Sequence, residues 1–317
     1  MRDGYQANST ELGTVLEEVW AGQARDGFLL TDPAAAGIET RAVADETSGV
    51  TYRFRWMPHR EIRGDVAELE RRGILNPHRD ATRLFRDPRD PSGRHCFLCR
   101  QNIAECHPLE VLVPVTLAGQ HYFAGANFAW IEPNHFTVMA AEHTDQHYSR
   151  HVLEAMVELH LRTAGRFRVL FNGPSAGATI PWHLHYQITT EPMPIEQLAP
   201  NSEEHYPTAL CRYHLAEDGL ARAHHTIDQW LMGDGDHRSV NILIASPSGE
   251  PCIHLFPRDK RYATAAGKGL VGGFEVAGDF VLSAPAEEET FRNASVAAAV
   301  EILRQISPPD WNAIAAA

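Results

Sequence analysis

Two histidines spaced one residue apart, with a glutamine two further on, give H-x-H-x-Q at His183, His185 and Gln187. The pattern ends the run Asn172 to Gln187, NGPSAGATIPWHLHYQ, behind a glycine-bearing turn of small residues. The β-prone run Val169, Leu170 and Phe171 precedes the turn and an extended segment from His183 to Ile188 follows it, so the stretch reads as strand, turn, strand. Side chains alternate along a strand, which places His183, His185 and Gln187 on one face. Burying three polar groups side by side is costly without partners, and a metal ion or a phosphate would supply them.

A second chemical signal is Cys96 and Cys99 in HCFLCRQN. That spacing suits a redox pair, half of a tetrahedral zinc site, or two buried cysteines with no ligand. Pro91, Ser92 and Gly93 stand where a redox motif of the thioredoxin type wants a strand. With His143 and His183, the two cysteines make the donor inventory of a closed structural zinc site, which would tie the turn at 96–99 to the strand of His183. His185 is then a free imidazole on an anchored strand, able to attack phosphorus and split one difficult transfer into two. Gln187 and the turn from Ser175 through Gly177 to Thr179 offer backbone N–H groups and hydroxyls for the non-bridging oxygens.

These residues need elements to hold them. Helical spacing predicts a helix over Thr10 to Ala24, another over Tyr148 to Thr163 and a closing one over Glu287 to Ile306. Strands are expected at Val50 to Trp56, Phe128 to Ile131, Phe136 to Met139, Ser239 to Ser246, Cys252 to Phe256 and Gly272 to Leu282. The β-β-α-β-β order around the histidines implies an α+β fold with helices packed on an antiparallel sheet. The expected organisation is an N-terminal helix and substrate-side extension over 1–94, a catalytic half with the metal cluster over 95–195, a linker or covering loop over 196–224, and a second α+β half over 225–317. The arginines between Arg60 and Arg94 read as a solvated, ion-paired surface, with Arg60 exempted. His135 reads as structural, and the clusters His224/His225 and His147/His151 as surface.

Bulk composition excludes several partners. A net charge of -13 argues against nucleic acid or an anionic membrane, both of which need a basic footprint. Five cysteines at irregular spacing do not make a secreted disulfide framework. The N-terminal residues lack the apolar core of a signal, and no long apolar run appears, so a soluble cytoplasmic protein is expected.

The H-L-H-Y-Q segment behind NGPSAGAT resembles the active-site strand of the histidine-triad (HIT) superfamily, in the transferase branch where the third histidine is Gln. That branch includes galactose-1-phosphate uridylyltransferase, diadenosine tetraphosphate phosphorylase and the GDP-hexose phosphorylases. The resemblance extends back through N-F-A-W-I-E-P-N-H-F-T-V, with His143 eight residues after His135, to the C-x-x-C. It continues more weakly into V-N-I-L-I-A and H-L-F-P-R, as in the C-terminal half of the phosphorylases. It implies a HIT-like antiparallel sheet with two HIT-like halves. It also implies that His185 takes up the nucleotidyl group, that Gln187 contacts the phosphoryl, and that His183 orients His185 through its backbone carbonyl while ligating a structural zinc with Cys96, Cys99 and His143. Asn127 and Asn172 would lie near the nucleotide and Thr179 near the α-phosphate, with Arg258, Arg60 and Lys260 as contacts to the attacking phosphate. The expected activity is nucleotidyl transfer from a nucleotide sugar or dinucleoside polyphosphate to phosphate or a sugar phosphate, in a homodimer by analogy. Hydrolysis at the same histidine, or nucleotide binding without catalysis, are the alternatives.

Overall fold

The computed structural model describes residues 11–29, 37–76, 96–216, 218–233 and 236–311. Helix α1 (Glu11–Arg25) is followed by the hairpin β1 (Glu39–Ala44) and β2 (Thr51–Trp56), a 3-10 segment Pro58–Gly64, and short helices α2 (Val66–Arg71) and α3 (Arg100–Cys106). Strands β3 (Leu112–Leu117), β4 (Gln120–Ala126) and β5 (Phe136–Ala140) lead to α4 (Arg150–Arg162), then β6 (Arg168–Asn172), β7 (His185–Thr189) and β8 (Cys211–His214). Next come α5 (Gly219–Leu231), β9 (Arg238–Ala245), β10 (Cys252–Asp259), the two-residue pair β11 (Thr264–Ala265) and β12 (Gly269–Leu270), α6 (Gly273–Val276), β13 (Asp279–Leu282), α7 (Glu288–Arg292) and α8 (Val296–Gln305).

One eight-stranded sheet in the order β3-β4-β5-β7-β6-β9-β10-β8 runs through the molecule, with each adjacent pair antiparallel. This is the α+β architecture expected. Strand β7 sits near its middle, and alternation along it sorts the side chains. Tyr186 and Ile188 turn to the packed face, where the Tyr186 hydroxyl donates to the Val152 carbonyl on α4. His185 and Gln187 turn to the other face and line a cavity of about 690 Å³. Strands β9 and β10 are buried almost throughout, as expected for strands covered on both sides.

Several elements differ from the sequence reading, each for a local reason. Residues 128–131 form turns rather than a strand, because the Asn127 side chain accepts from the Ala129 N–H and the His135 ring accepts from the Ile131 N–H. The strand preceding β5 is instead β4, which with β3 forms a hairpin across Ala118 and Gly119, both at positive φ. Only the end of 272–282 is a strand: the Glu275 carboxylate accepts from the Gly272 N–H and starts the helical turn α6 before β13. The closing helix is two helices, since Ser295 caps α8 by accepting from the Ala298 N–H. His224, read as surface, is buried with Nδ1 2.7 Å from the Tyr148 hydroxyl. Within 196–224 lie a 3-10 turn, β8 and the start of α5. Thr10 and the arginine-rich residues 77–94 lie outside the described residues.

A second, three-stranded sheet, β1-β2-β13, has β13 parallel to β2. It is joined to the far end of β7 by a buried ionic cluster. The Arg55 guanidinium bonds the Asp279 carboxylate at 2.9 Å, Glu132 at 3.1 Å and Glu191 at 2.8 Å, while the Thr189 hydroxyl donates to Glu132. Burial pushes the Glu132 carboxyl well above the usual carboxylate range. Arg53 and Arg55 both pair with Glu191 and Asp279.

Candidate active site and metal cluster

The turn between β6 and β7 brings the two chemical signals together. Cys96 Sγ lies 3.2 Å from His183 Nδ1, Cys99 Sγ lies 3.3 Å from His143 Nδ1 and 3.6 Å from His183 Nδ1. All four donor atoms fall within 4.8 Å of one another. A tetrahedral ion with bonds of roughly 2.0–2.3 Å has edges of about 3.3–3.8 Å, so the set can hold a metal ion. The second layer agrees: His183 Nε2 donates to the Ala140 carbonyl at 3.0 Å, which turns Nδ1 to the thiols. The neighbouring Cys99 thiol, and then His183, bring the Cys96 thiol down to about 4, which makes it a thiolate at neutral pH. Asn102 holds the turn by donating to the Cys96 carbonyl at 2.6 Å.

His185, two residues along, is held differently. Its Nδ1 lies 2.8 Å from the His183 carbonyl, so Nδ1 is the protonated nitrogen and Nε2 keeps its lone pair. Nε2 has no protein partner among the described residues, and the ring lines the cavity. Burial lowers the imidazole to about 4, leaving it neutral and nucleophilic at pH 7. The backbone around it is fixed by buried Gln146, whose Oε1 accepts from the His185 N–H at 2.7 Å. Its amide donates to the His185 and Asn172 carbonyls, each at 2.9 Å.

Gln187 is oriented as well. His135 Nδ1 accepts from the Ile131 N–H at 3.1 Å, so Nε2 is the N–H and donates to Gln187 Oε1 at 2.5 Å. This fixes the amide with its NH2 turned away from His135, as a donor beside His185. Gly177, at φ +95°, lies so close to Gly272 that a Cβ would strike the Gly272 Cα, and the two glycines close this end of the cavity.

His185, Gln187, Asn127, Asn172, Gly177, Thr179 and Arg60 line the cavity. Ser175 is exposed on the turn at φ 55° and does not line it, and Lys260 points elsewhere, donating to the Asp236 carbonyl at 2.5 Å. Arg258 is wholly buried one layer behind the wall. Its Nη1 donates to Asn241 Oδ1 at 2.6 Å, and Asn241 donates to Asn172 Oδ1 at 2.8 Å. Arg60 donates to the Ala129 carbonyl. The sequence reading missed Gln146, the contact of His135 to Gln187, and Lys268, a cation lining the cavity 3.0 Å from Glu287. Gln146 follows His143 by three residues and carries no motif of its own; Lys268 sits in A-G-K-G, a spacing with no distinctive chemistry.

Similarity to known proteins fits this geometry. The family described as Domain of unknown function (DUF4922) matches residues 49–190. No curated protein matches the chain by sequence. Among solved structures, yeast Ap4A phosphorylase Apa2 in complex with AMP superposes with a TM-score of 0.63 at 16% identity, covering 96% of this chain and 97% of that one. The same yeast enzyme in complex with Ap4A gives 0.61 at 14% identity, over 95% and 98%. The fold is shared. The α+β fold expected from the sequence is therefore shared with that yeast enzyme along nearly the whole chain.

Replacing Gln146 by Leu strips the His185 N–H and two carbonyls of their partner inside the protein. The expected cost is at least about 2 kcal/mol in urea denaturation, because unpaired buried groups are penalised individually. An unchanged midpoint would mean that the strand holds its shape without this clamp.

Proposed function

We propose that the protein is a nucleotidyltransferase that carries a nucleoside monophosphate on His185. The donor is a nucleotide sugar or a dinucleoside polyphosphate, and the acceptor is phosphate or a sugar phosphate. The observation that carries this reading is the state of His185: a neutral ring with Nδ1–H tied to a backbone carbonyl and Nε2 free at the wall of a cavity of nucleotide size. The shared fold with a phosphorylase whose structures hold AMP and Ap4A supports it.

In the first step Nε2 attacks the α-phosphorus, the bond from phosphorus to the bridging oxygen breaks, and a sugar phosphate or nucleoside polyphosphate leaves. The ring gains positive charge as the N–P bond forms, and the His183 carbonyl on Nδ1–H stabilises it. The Gln187 amide donates to a non-bridging oxygen as negative charge develops there, with Thr179 and the backbone at Gly177 beside it. In the second step an oxygen of the acceptor attacks the same phosphorus, the N–P bond breaks, and the imidazole recovers its lone pair. Asn127 and Asn172 shape the nucleotide's seat. Arg258 acts through Asn241 on Asn172, and Arg60 and Lys268 supply positive charge near the acceptor, while Ser175 and Lys260 are left without contact to it.

The metal we assign to Cys96, Cys99, His143 and His183 is zinc, in a structural role. A closed four-ligand site leaves no position for substrate, so what it supplies is rigidity of the backbone at His183. Elemental analysis of purified protein should find about one zinc per chain, absent in a Cys96→Ser/Cys99→Ser double variant, and stripping it should lower the melting temperature. No stoichiometric zinc, together with full stability in chelator, would sink the assignment.

For the reaction, incubation with radiolabelled nucleotide sugars and dinucleoside polyphosphates should yield a labelled protein whose adduct is acid-labile and base-stable, as a phosphoramidate is. His185→Ala should abolish the label, while His185→Ala protein still binds nucleotide. No adduct from any donor with the wild type, or labelling that survives His185→Ala, would overturn the covalent step.

A further inference from the structure

The cavity has a second end, away from His185, and its chemistry is different. Phe97, Phe128 and Ile103 make it apolar, the two rings standing 6.2 Å apart at 56°. The two rings pack against each other and give this end an aromatic wall on which a flat ring can lie. One carboxylate interrupts the apolar lining. Glu110 has a side chain only 8% exposed, and its Oε2 lies 2.8 Å from His107 Nδ1. Among the described residues no Arg or Lys meets it. His107 is its one side-chain partner among the described residues, and Glu110 lines the cavity.

The carboxylate is seated by design of the strand beneath it. A Cβ on Gly125 would collide with Glu110 Oε1, so the absence of a side chain at this point of β4 is what lets the carboxylate lie against the sheet. His107 fixes it from the other side, its ring wedged edge-on against Phe97 at 4.6 Å and Phe128 at 6.0 Å. His107 Nε2 is buried without a partner, a polar atom at this end that awaits one. Distance links the two ends. Gly125 pairs with Thr137, and Thr137 with Gln187, so two strand steps, about 10 Å, separate the carboxylate from the phosphoryl donor. A nucleotide reaches that far from its α-phosphorus to the outer edge of its base.

We propose that Glu110 reads the base of the bound nucleotide and that this base is guanine; the assignment rests on the nucleotide reading of the cavity given above. A carboxylate presents two acceptor oxygens side by side. Guanine answers with two adjacent donors, N1–H and the N2 amino group. Adenine and cytosine set one donor beside a ring nitrogen lone pair, which the carboxylate repels, and uracil offers one N–H between two carbonyls. A buried acceptor left unpaired by the wrong base penalises that base, so the site selects by what it loses as well as by what it gains.

Isothermal titration of the full chain with GMP, IMP, AMP, UMP and CMP tests this. GMP should bind tightest, by roughly 100-fold over AMP and UMP, the discrimination of one good bidentate pair. IMP, which lacks only the N2 amino group, should fall between. Glu110→Gln should lose most of the affinity for GMP while AMP changes little. A wild type that prefers another base, IMP equal to GMP, or a GMP to AMP ratio unchanged in Glu110→Gln would each overturn the assignment. The IMP comparison needs no variant, so it decides even where Glu110→Gln folds poorly. If none of the five binds, the nucleotide reading falls with it; binding without a guanine preference removes the base assignment alone. A guanine preference without any covalent adduct leaves the base assignment standing and removes the transfer step.

Discussion

The hydrogen bond from His185 Nδ1–H to the His183 carbonyl, 2.8 Å long, is the constraint on which the site depends. A neutral imidazole has one donor nitrogen and one acceptor, and this bond decides which is which. It does so only while the backbone at His183 cannot turn. Three devices hold it: the Cys96, Cys99, His143 and His183 cluster on the side chain, the Ala140 carbonyl on His183 Nε2, and the Gln146 amide bridging Asn172 and His185. The far end of β7 is pinned separately, through Thr189 and Glu132, to buried Arg55 of β2. The strand carrying the nucleophile is thus restrained at both ends while its middle faces open space.

The distribution of charge follows the same logic. A chain of net charge -13 still presents a donor-rich surface to an anion, because the relevant donors are local: the Gln187 amide, the turn at Gly177 and the cation of Lys268. Buried carboxylates that meet a cation recur inside the molecule: Asp279 and Glu132 meet Arg55, and Glu275 meets Lys268. Glu110 departs from that pattern, since only a histidine meets it. A mostly buried carboxylate with a single side-chain partner is costly unless something polar occupies the space in front of it.

Much of the site was legible in the sequence because strand periodicity is strict. Alternation put His185 and Gln187 on one face, and the spacing of Cys96 and Cys99 announced a turn able to converge on one ion. His183 precedes β7 and turns away to the thiols, a separation that alternation alone does not give. What was not legible depends on chain segments distant in sequence. Gln146 and Glu110 have no motif, and their meaning comes from Asn172 and Gly125 lying next to them. Secondary structure failed where side chains cap backbone: the apolar run Phe128 to Ile131 looks like a strand until Asn127 and His135 take its N–H groups, and Glu275 does the same ahead of β13.

The central claim is that phosphorus passes through a bond to His185 Nε2. Each in-line displacement inverts the configuration at phosphorus, so the stereochemical course counts the steps. A donor made chiral at the α-phosphorus by sulfur and oxygen-isotope substitution, transferred to phosphate by the wild-type protein, should give product with configuration retained, the outcome of two displacements. Inversion would mean a single direct transfer between donor and acceptor, and would contradict the account.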